Sequence, residues 1–277
     1  LTLPALLSRL ISRISGRSLQ ILTVVVYGFI LTPAVFVILM SFSPDVIATF
    51  PPPGLTIKWY IALTQDPRMV AAIYNSLFIG LSAILISGLL GTVTSIGMVR
   101  YKFRGRGLLS SFVIAPMVVP EIILGASLLT FFISLGLSLS RFSYLFMILG
   151  HALFTLPYVI LMVHARVYGL DKSLEEASMN LGANPIQTFR EVTLPLILPA
   201  ILSGMLLAFA LSLDDYTASQ FWVMPYTETI AVRIFTALRT ELPPTINPLA
   251  TLLMLSTLFA FFLQVRISRR VTLRKRK

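Results

Sequence analysis

The chain contains no cysteine. Disulfides, thiolate metal sites and cysteine nucleophiles are therefore excluded. Charge is scarce as well: 12% of the 277 residues are Asp, Glu, Lys or Arg, against about a quarter in a soluble domain. Acid is scarcer than base, 11 residues against 22, which leaves a net charge of +11. The two histidines, His151 and His164, have no acids or cysteines clustered beside them in sequence, which argues against a metal site. No GxxxxGK[ST] phosphate loop occurs, so the chain is not its own ATPase. No nucleophile with a neighbouring base is visible either, and we assign no catalytic residue and no enzyme activity.

What is abundant is apolar surface. Hydrophobic residues make up 56% of the chain and the mean hydropathy is +0.88. A bilayer is the solvent that composition implies. A helix needs about 20 apolar residues to cross, and six runs qualify: Leu19–Phe42, Ala72–Val99, Leu108–Leu137, Tyr144–His164, Leu196–Leu213 and Leu249–Val265. The fold class is an all-α integral membrane protein with six transmembrane helices. Arg9, Arg13 and Arg17 precede the first run, but that run is too long for a signal-peptide core and reads as a retained anchor. Pro116 and Pro120 predict a kink or break in the third. The basic residues flank spans and do not line a soluble face, which excludes nucleic acid as a partner.

Orientation follows from those flanks. Arg9, Arg13, Arg17, Arg100, Lys102, Arg104, Arg106, Arg166, Lys172, Arg190 and the seven basic residues from Arg266 to Lys277 fall on one side, 17 in all. Only Lys58, Arg68, Arg141, Arg233 and Arg239, five residues, fall on the other. The positive-inside rule then puts both termini in the cytoplasm. Residues 1–18 form a cytoplasmic N-terminal segment, 19–265 the transmembrane domain, and 266–277 a basic tail suited to anionic headgroups. On the opposite side, residues 43–71 carry Pro51-Pro52-Pro53-Gly54 and then Trp59-Tyr60, which suit a membrane interface. Residues 214–248 form the other long connection, with a short helix expected near 229–238.

The segment at about 166–195 is the polar interruption that matters most. Ser173-Leu174-Glu175-Glu176 fits a capping box, with Ser173 as N-cap and Glu176 reaching back. Gly182 fits the left-handed position after a helix that covers about 174–181. Asn184-Pro185 then restarts a helix, with Asn184 as N-cap and Pro185 in its first turn. Two helices about a tight turn make a compact cytoplasmic elbow. Read on its own, it is either a capped connector or a surface for a soluble partner.

Glu176-Ala177-Ser178, three residues, Gly182, nine residues, then Val192-Thr193-Leu194-Pro195 resembles the E-A-A…G…I-x-L-P signature of permease subunits of binding-protein-dependent ABC importers. Ser178 and Val192 depart from it by small changes. Ala115–Glu121, Leu207–Tyr216 and Ile246–Thr251 further resemble spermidine/putrescine permeases, with Pro248 a slight departure. The resemblance implies the type I ABC importer permease fold in a bacterial cytoplasmic (inner) membrane. It implies a coupling helix that docks on the ATPase, here through Glu175, Glu176, Ala177, Ser178, Leu181, Gly182 and Ala183. The implied partners are a homologous second permease, two ATPase subunits that bind ATP and Mg, and a soluble or lipid-anchored substrate-binding protein. No cofactor is implied for this chain.

The acids suggest what is carried. On a continuous helix Glu121 lies about 20 Å in from Leu108, and Asp214 and Asp215 about 27–29 Å from Leu196. Ionisable groups in a span usually face the bundle interior or a wet path. Carboxylates among Tyr216, Phe221 and Trp222 suit a polyamine, through charge pairing and cation–π contact. The same acids could instead pair with Arg233 or Arg239. Importers of 4-aminobutyrate, opines or aminophosphonates remain alternatives, as does a proton-coupled secondary transporter.

Because the chain has no native cysteine, topology can be tested against a clean background. Single substitutions Ser110→Cys, Ser173→Cys and Arg274→Cys are expected to be shielded from an impermeant thiol reagent added outside intact cells, and Thr64→Cys to react. Outside labelling at position 173 would overturn the orientation.

Overall fold

The structure, a computed structural model, describes residues 16–46, 49–240 and 243–274. The expected N-terminal segment up to residue 15, with Arg9 and Arg13, and the last tail residues 275–277 lie outside the described residues. Among the described residues there is no strand. The helices are α1 (Gly16–Met40), α2 (Lys58–Gln65), α3 (Pro67–Arg100), α4 (Arg106–Val118), α5 (Glu121–Ser134), α6 (Leu139–Tyr168), α7 (Ser173–Asn180), α8 (Pro185–Thr188), α9 (Leu194–Asp214), α10 (Ile230–Thr240) and α11 (Ile246–Arg274). A π turn, Phe189–Thr193, joins α8 to α9, so the helix runs unbroken from Pro185 to Asp214.

Five helices are long and apolar enough to cross a membrane, and the pair α4 and α5 makes a sixth span if counted together. That pair is where the third predicted run departs from one continuous helix. Pro120 disfavours helical backbone at the residue before it, and Val119 is extended, with φ −74° and ψ 130°. The two halves meet at 111°. At 13 and 14 residues, each half is about 20 Å long, short of the roughly 30 Å of hydrocarbon. The break also corrects the reading of Glu121. It lies at the first turn of a new helix, so a depth counted along a straight helix from Leu108 does not apply.

The chain divides into two units. The first runs to Ala62 and takes in Pro243–Thr251. Within it the turn after α1 is tied to the start of α2: Trp59 Nε1 donates to the Ser43 carbonyl at 3.0 Å, and the Ser41 and Tyr60 hydroxyls lie 2.7 Å apart.

The second unit is built on α3, α6 and α9. Helices in lipid associate through close packing, which favours small residues at the contact. Ser87, Gly91 and Ser95 recur every fourth residue on α3 and are buried. Gly91 lies against Val159, and Ser95 Oγ donates to the Ile160 carbonyl at 3.0 Å. Ile84, Val159, Val163, Ile197 and Ile201 fill the rest of this core. A second cluster gathers Ile79, Phe132, Phe146, Met147 and Trp222. Large apolar side chains elsewhere, such as Phe29 and Val93, face outward, as a chain solvated by lipid requires.

Gly150 on α6 is where the second cluster is tightest. A Cβ there would stand 2.2 Å from the Trp222 ring. Gly150→Ala is expected to lose about 1–3 kcal/mol through overpacking. Gly97→Ala, on the same bundle with nothing within 4 Å of its Cβ, should be neutral or stabilising. Thermal melting of the purified protein in detergent reads both.

Candidate functional site

The elbow predicted near residue 182 is present, with one correction. Ser173 is the first residue of α7, not its cap, and Lys172 precedes it with no capping side chain. The first turn is served from outside by Asp171, whose carboxylate accepts from the Ser173 N–H at 2.9 Å. That hydrogen bond holds the Asp171 carboxyl below its usual range, so its contribution is present at neutral pH and is lost as pH falls through the lowered pKa. Glu176 turns instead to Lys172 at 3.2 Å, an exposed pair of little worth.

The rest of the elbow follows the sequence closely. Gly182 has φ +95°, where a side chain would be strained. Its N–H bonds to the Met179 carbonyl at 3.0 Å and the Ala183 N–H to the Ser178 carbonyl at 3.2 Å, closing α7. Asn184 caps α8, and Gln187 returns the bond to the Asn184 N–H, each at 2.9 Å. Ser178 and Thr188 hydroxyls, 3.1 Å apart, tie the two helices together. Outward stand Glu176, Ala177, Leu181 and Gly182, with Leu181 90% and Ile186 78% exposed. Ala183 is half-buried behind them.

At the root of the elbow the structure brings together residues that the sequence left apart. Arg100, the last residue of α3, donates from Nη2 to Glu175 Oε1 at 3.0 Å. The Thr193 hydroxyl donates to the same oxygen at 2.9 Å. Arg166 Nε donates to the Leu196 carbonyl at 2.8 Å. Arg100 and Arg166 had served only as topology charges in the sequence.

At the far end of α9, Asp214 and Asp215 part company. Asp214 is exposed. Asp215 is buried, and its carboxylate accepts from the Ala218 N–H at 3.1 Å, the Ser219 N–H at 3.0 Å and the Ser219 hydroxyl at 2.7 Å. The expectation that Asp215 lines a path gives way to a structural role, because a buried carboxylate is stable only when its lone pairs are taken. Neither Arg233 nor Arg239 takes them. Arg233 lies 3.7 Å from Glu228, and Arg239 sits over the Phe235 ring. Burial raises the Glu228 carboxyl above its usual range, with Arg233 and Arg68 opposing.

His151 is the residue that sequence reasoning missed. It is buried in α6, with Nδ1 2.7 Å from the Ser212 hydroxyl, Nε2 2.8 Å from Ser219 Oγ and 3.7 Å from Asp215 Oδ2. The signal was there, since a polar ring inside an apolar span needs partners. Serine, histidine and aspartate together invite comparison with a hydrolytic triad, in which the acid orients one ring nitrogen and the serine uses the other. Here acid and serine share Nε2 and a second serine holds Nδ1. The arrangement braces three segments and does not activate a nucleophile.

Trp222 is also a brace: buried, with its ring against Gly150 and Nε1 donating to the Gly125 carbonyl at 2.9 Å. Tyr216 stacks on Phe235 with ring centroids 3.7 Å apart, and Phe221 is half-buried near Gly125. Glu121 is exposed and lines a small recess with Leu124, Leu128, Phe154 and Trp222. Among the described residues no group of acids, histidines or cysteines is placed to hold a metal ion.

Residues 83–273 match a family described as the binding-protein-dependent transport system inner membrane component. The chain is 36% identical over 232 residues to the putrescine transport system permease protein PotI of Escherichia coli strain K12, covering 82% of each. It is 33% identical over 246 residues to the spermidine/putrescine transport system permease protein PotC of Haemophilus influenzae, covering 89% of this chain and 94% of that one. Among solved structures, a chain of a bacterial ABC transporter that imports alginate superposes with a TM-score of 0.67 at 16% identity, covering 93% and 96% of the two chains. A chain of the MetNI methionine ABC transporter gives 0.57 at 20% identity, covering 73% and 95%. These last two bear out the expected type I importer permease fold.

The different burial of the two aspartates gives a direct test. Asp215→Ala strands two buried N–H groups and is expected to cost about 3 kcal/mol. Asp215→Asn keeps an acceptor and should cost less. Asp214→Asn, at an exposed residue, should stay within about 0.5 kcal/mol of the parent protein. Thermal melting in detergent orders the three.

Proposed function

The chain belongs to the binding-protein-dependent transport system inner membrane components and is a permease subunit of an ABC importer; from that premise we propose that it forms half of the path for a polyamine, putrescine or spermidine. The observation that carries the substrate class is its 36% and 33% identity to PotI and PotC, proteins named for putrescine and for spermidine/putrescine transport. The other half of the path comes from a homologous sister permease. Two ATPase subunits bind ATP and Mg and supply the energy, and a separate binding protein delivers the solute.

The elbow is the part of this chain that meets the ATPase. It has what such a contact needs: exposed Leu181 and Ile186, a turn fixed by Gly182, and a second helix held by the Asn184–Gln187 capping box. When the ATPases close on ATP, the elbows of the two permeases are drawn together and the spans open away from the cytoplasm. Hydrolysis reverses the change. ATP and loaded binding protein then favour the same conformer, as linkage requires. The basic flanks of the spans set this orientation, with the elbow and both termini cytoplasmic.

Glu121 and Asp214 are the carboxylates of this chain with exposed side chains near the break and the end of α9. In a region of lowered dielectric they attract an ammonium group, and the aromatic residues Tyr216 and Phe221 follow Asp214 in sequence. Asp215 and Trp222 hold the segment that carries these groups.

The test is the whole importer in proteoliposomes, with labelled putrescine and spermidine inside the binding protein's saturating range. ATP-dependent uptake of at least one is expected. The double variant Glu121→Gln, Asp214→Asn should lower uptake per assembled complex about tenfold, the scale of one or two lost charge contacts. Gly182→Asp, which forces a side chain into the left-handed region, should release the ATPase or uncouple it. Uptake of neither polyamine would overturn the substrate reading, and normal coupling in Gly182→Asp would overturn the elbow's role.

A further inference from the structure

α7 has no buried residue. With no side chain in a core cluster, α7 depends on polar contacts to hold its neighbours. One carboxylate oxygen gathers most of them. Glu175 Oε1 accepts from Arg100 Nη2 at 3.0 Å and from Thr193 Oγ1 at 2.9 Å. The two donors belong to different elements. Arg100 ends α3, where a cation also suits the helix dipole, and Thr193 closes the π turn that leads into α9. Both charged side chains are only 15% exposed, and Thr193 is buried.

The setting makes the contact costly to lose. Arg100 Nε is buried and has no hydrogen-bond partner, so Glu175 is the carboxylate that compensates this guanidinium. The π turn is a wide turn of the kind often found at functional positions, and its last residue is one of the two donors. Glu176 beside it is exposed and pairs only with Lys172. The two neighbouring glutamates are thus split, one facing out and one facing the bundle.

We propose that Glu175 is a positioning residue that, through Arg100 and Thr193, transmits the movement of the elbow to α3 and α9 together. It does not touch the transported solute or the ATPase. The proposal rests on the reading of the elbow as the ATPase contact. It assigns Glu176, Leu181 and Gly182 to docking and the triad Arg100, Glu175 and Thr193 to transmission. Because both donors share one oxygen, the two helices move with the elbow as one body while the triad is intact.

The experiment uses the assembled importer in proteoliposomes and reads solute transported per ATP hydrolysed, with co-purification of the ATPase as a second readout. Arg100→Gln and Glu175→Gln are each expected to lower the transport-to-hydrolysis ratio about tenfold, the scale of one charge-assisted hydrogen bond. The double variant should be no worse than either single one, since both remove the same contact. The charge exchange Arg100→Glu with Glu175→Arg should recover part of the ratio. Thr193→Val, which removes only a hydroxyl, should lower it by a smaller factor while the ATPase still co-purifies. If a charge variant is absent from the membrane, the Thr193→Val ratio decides. A normal ratio in the single variants or in Thr193→Val, additive losses in the double variant, or loss of the ATPase in step with transport would each overturn the proposal. Gly182→Asp, run alongside, separates the two readings. If it couples normally, the elbow assignment fails. If it uncouples while the Arg100 and Glu175 variants do not, only the transmission triad fails.

Discussion

A backbone N–H or C=O buried away from water needs a partner inside the protein, and this chain is organised around that fact. Where it is helical the problem solves itself. Where it leaves the helix, the protein supplies the missing partners from side chains. After α9 the Asp215 carboxylate takes the Ala218 and Ser219 N–H groups. Ser143 donates to the Trp222 carbonyl at 2.6 Å, and Asn75 donates to the carbonyls of Tyr226 and Glu228, both at 3.0 Å. Each of these side chains is buried: Asp215 closes the turn that follows its own helix, and Ser143 and Asn75 bridge a helix to an irregular segment distant in sequence. The polar residues inside this greasy chain are therefore spent mostly on its own backbone. Few are left for chemistry.

The two ends of the three-helix core contrast sharply. Beyond Asp214 the chain is pinned by His151, Ser212, Asp215 and Ser219, and Trp222 fills the space above Gly150. That end is stiff because several buried hydrogen bonds and a close ring contact must be broken at once to move it. At the elbow, α7 has no fully buried residue, and the hydrogen bonds that tie it to the core are few. An element held this way can shift as a body at small cost, yet cannot slip sideways while its ion pair persists. A permease needs both properties: a firm wall to the path, and a lever that is free to move but not free to disengage.

Local chemistry was legible in the sequence, and long-range pairing was not. The proline break at residue 120, the left-handed Gly182 and the Asn184 cap each depend on neighbours within four residues, and each is present. The Ser173 capping box also looked local, yet Asp171 two residues earlier took the Ser173 N–H and drew the helix start forward by a turn's fraction. Competition between adjacent caps is decided by small energies that the pattern alone does not rank. Arg100 with Glu175 and His151 with Ser212 are separated by 75 and 61 residues. Nothing in composition or periodicity joins them. Asp215 was misread for a related reason: its position at the end of a span was correct, but the direction of its carboxylate is set by the turn that follows.

The small number of free acids bears on how a cation would cross. A diamine has two ammonium groups separated by methylenes, so it is held best by carboxylates spaced apart, with apolar or aromatic surface between them. On the proposed reading, with Asp215 committed to the turn, this chain would offer the cation Glu121 at one helix start and Asp214 at one helix end, with Tyr216 and Phe221 following Asp214 in sequence. Two single carboxylates make a weak site, and weakness has a use. A transporter that bound its solute tightly in the membrane would pay for release with every cycle, whereas modest attraction lowers the barrier without creating a trap. On the proposed reading, affinity resides in the binding protein, and the path in this chain needs only enough negative charge to keep a cation from being repelled by a protein whose net charge is +11.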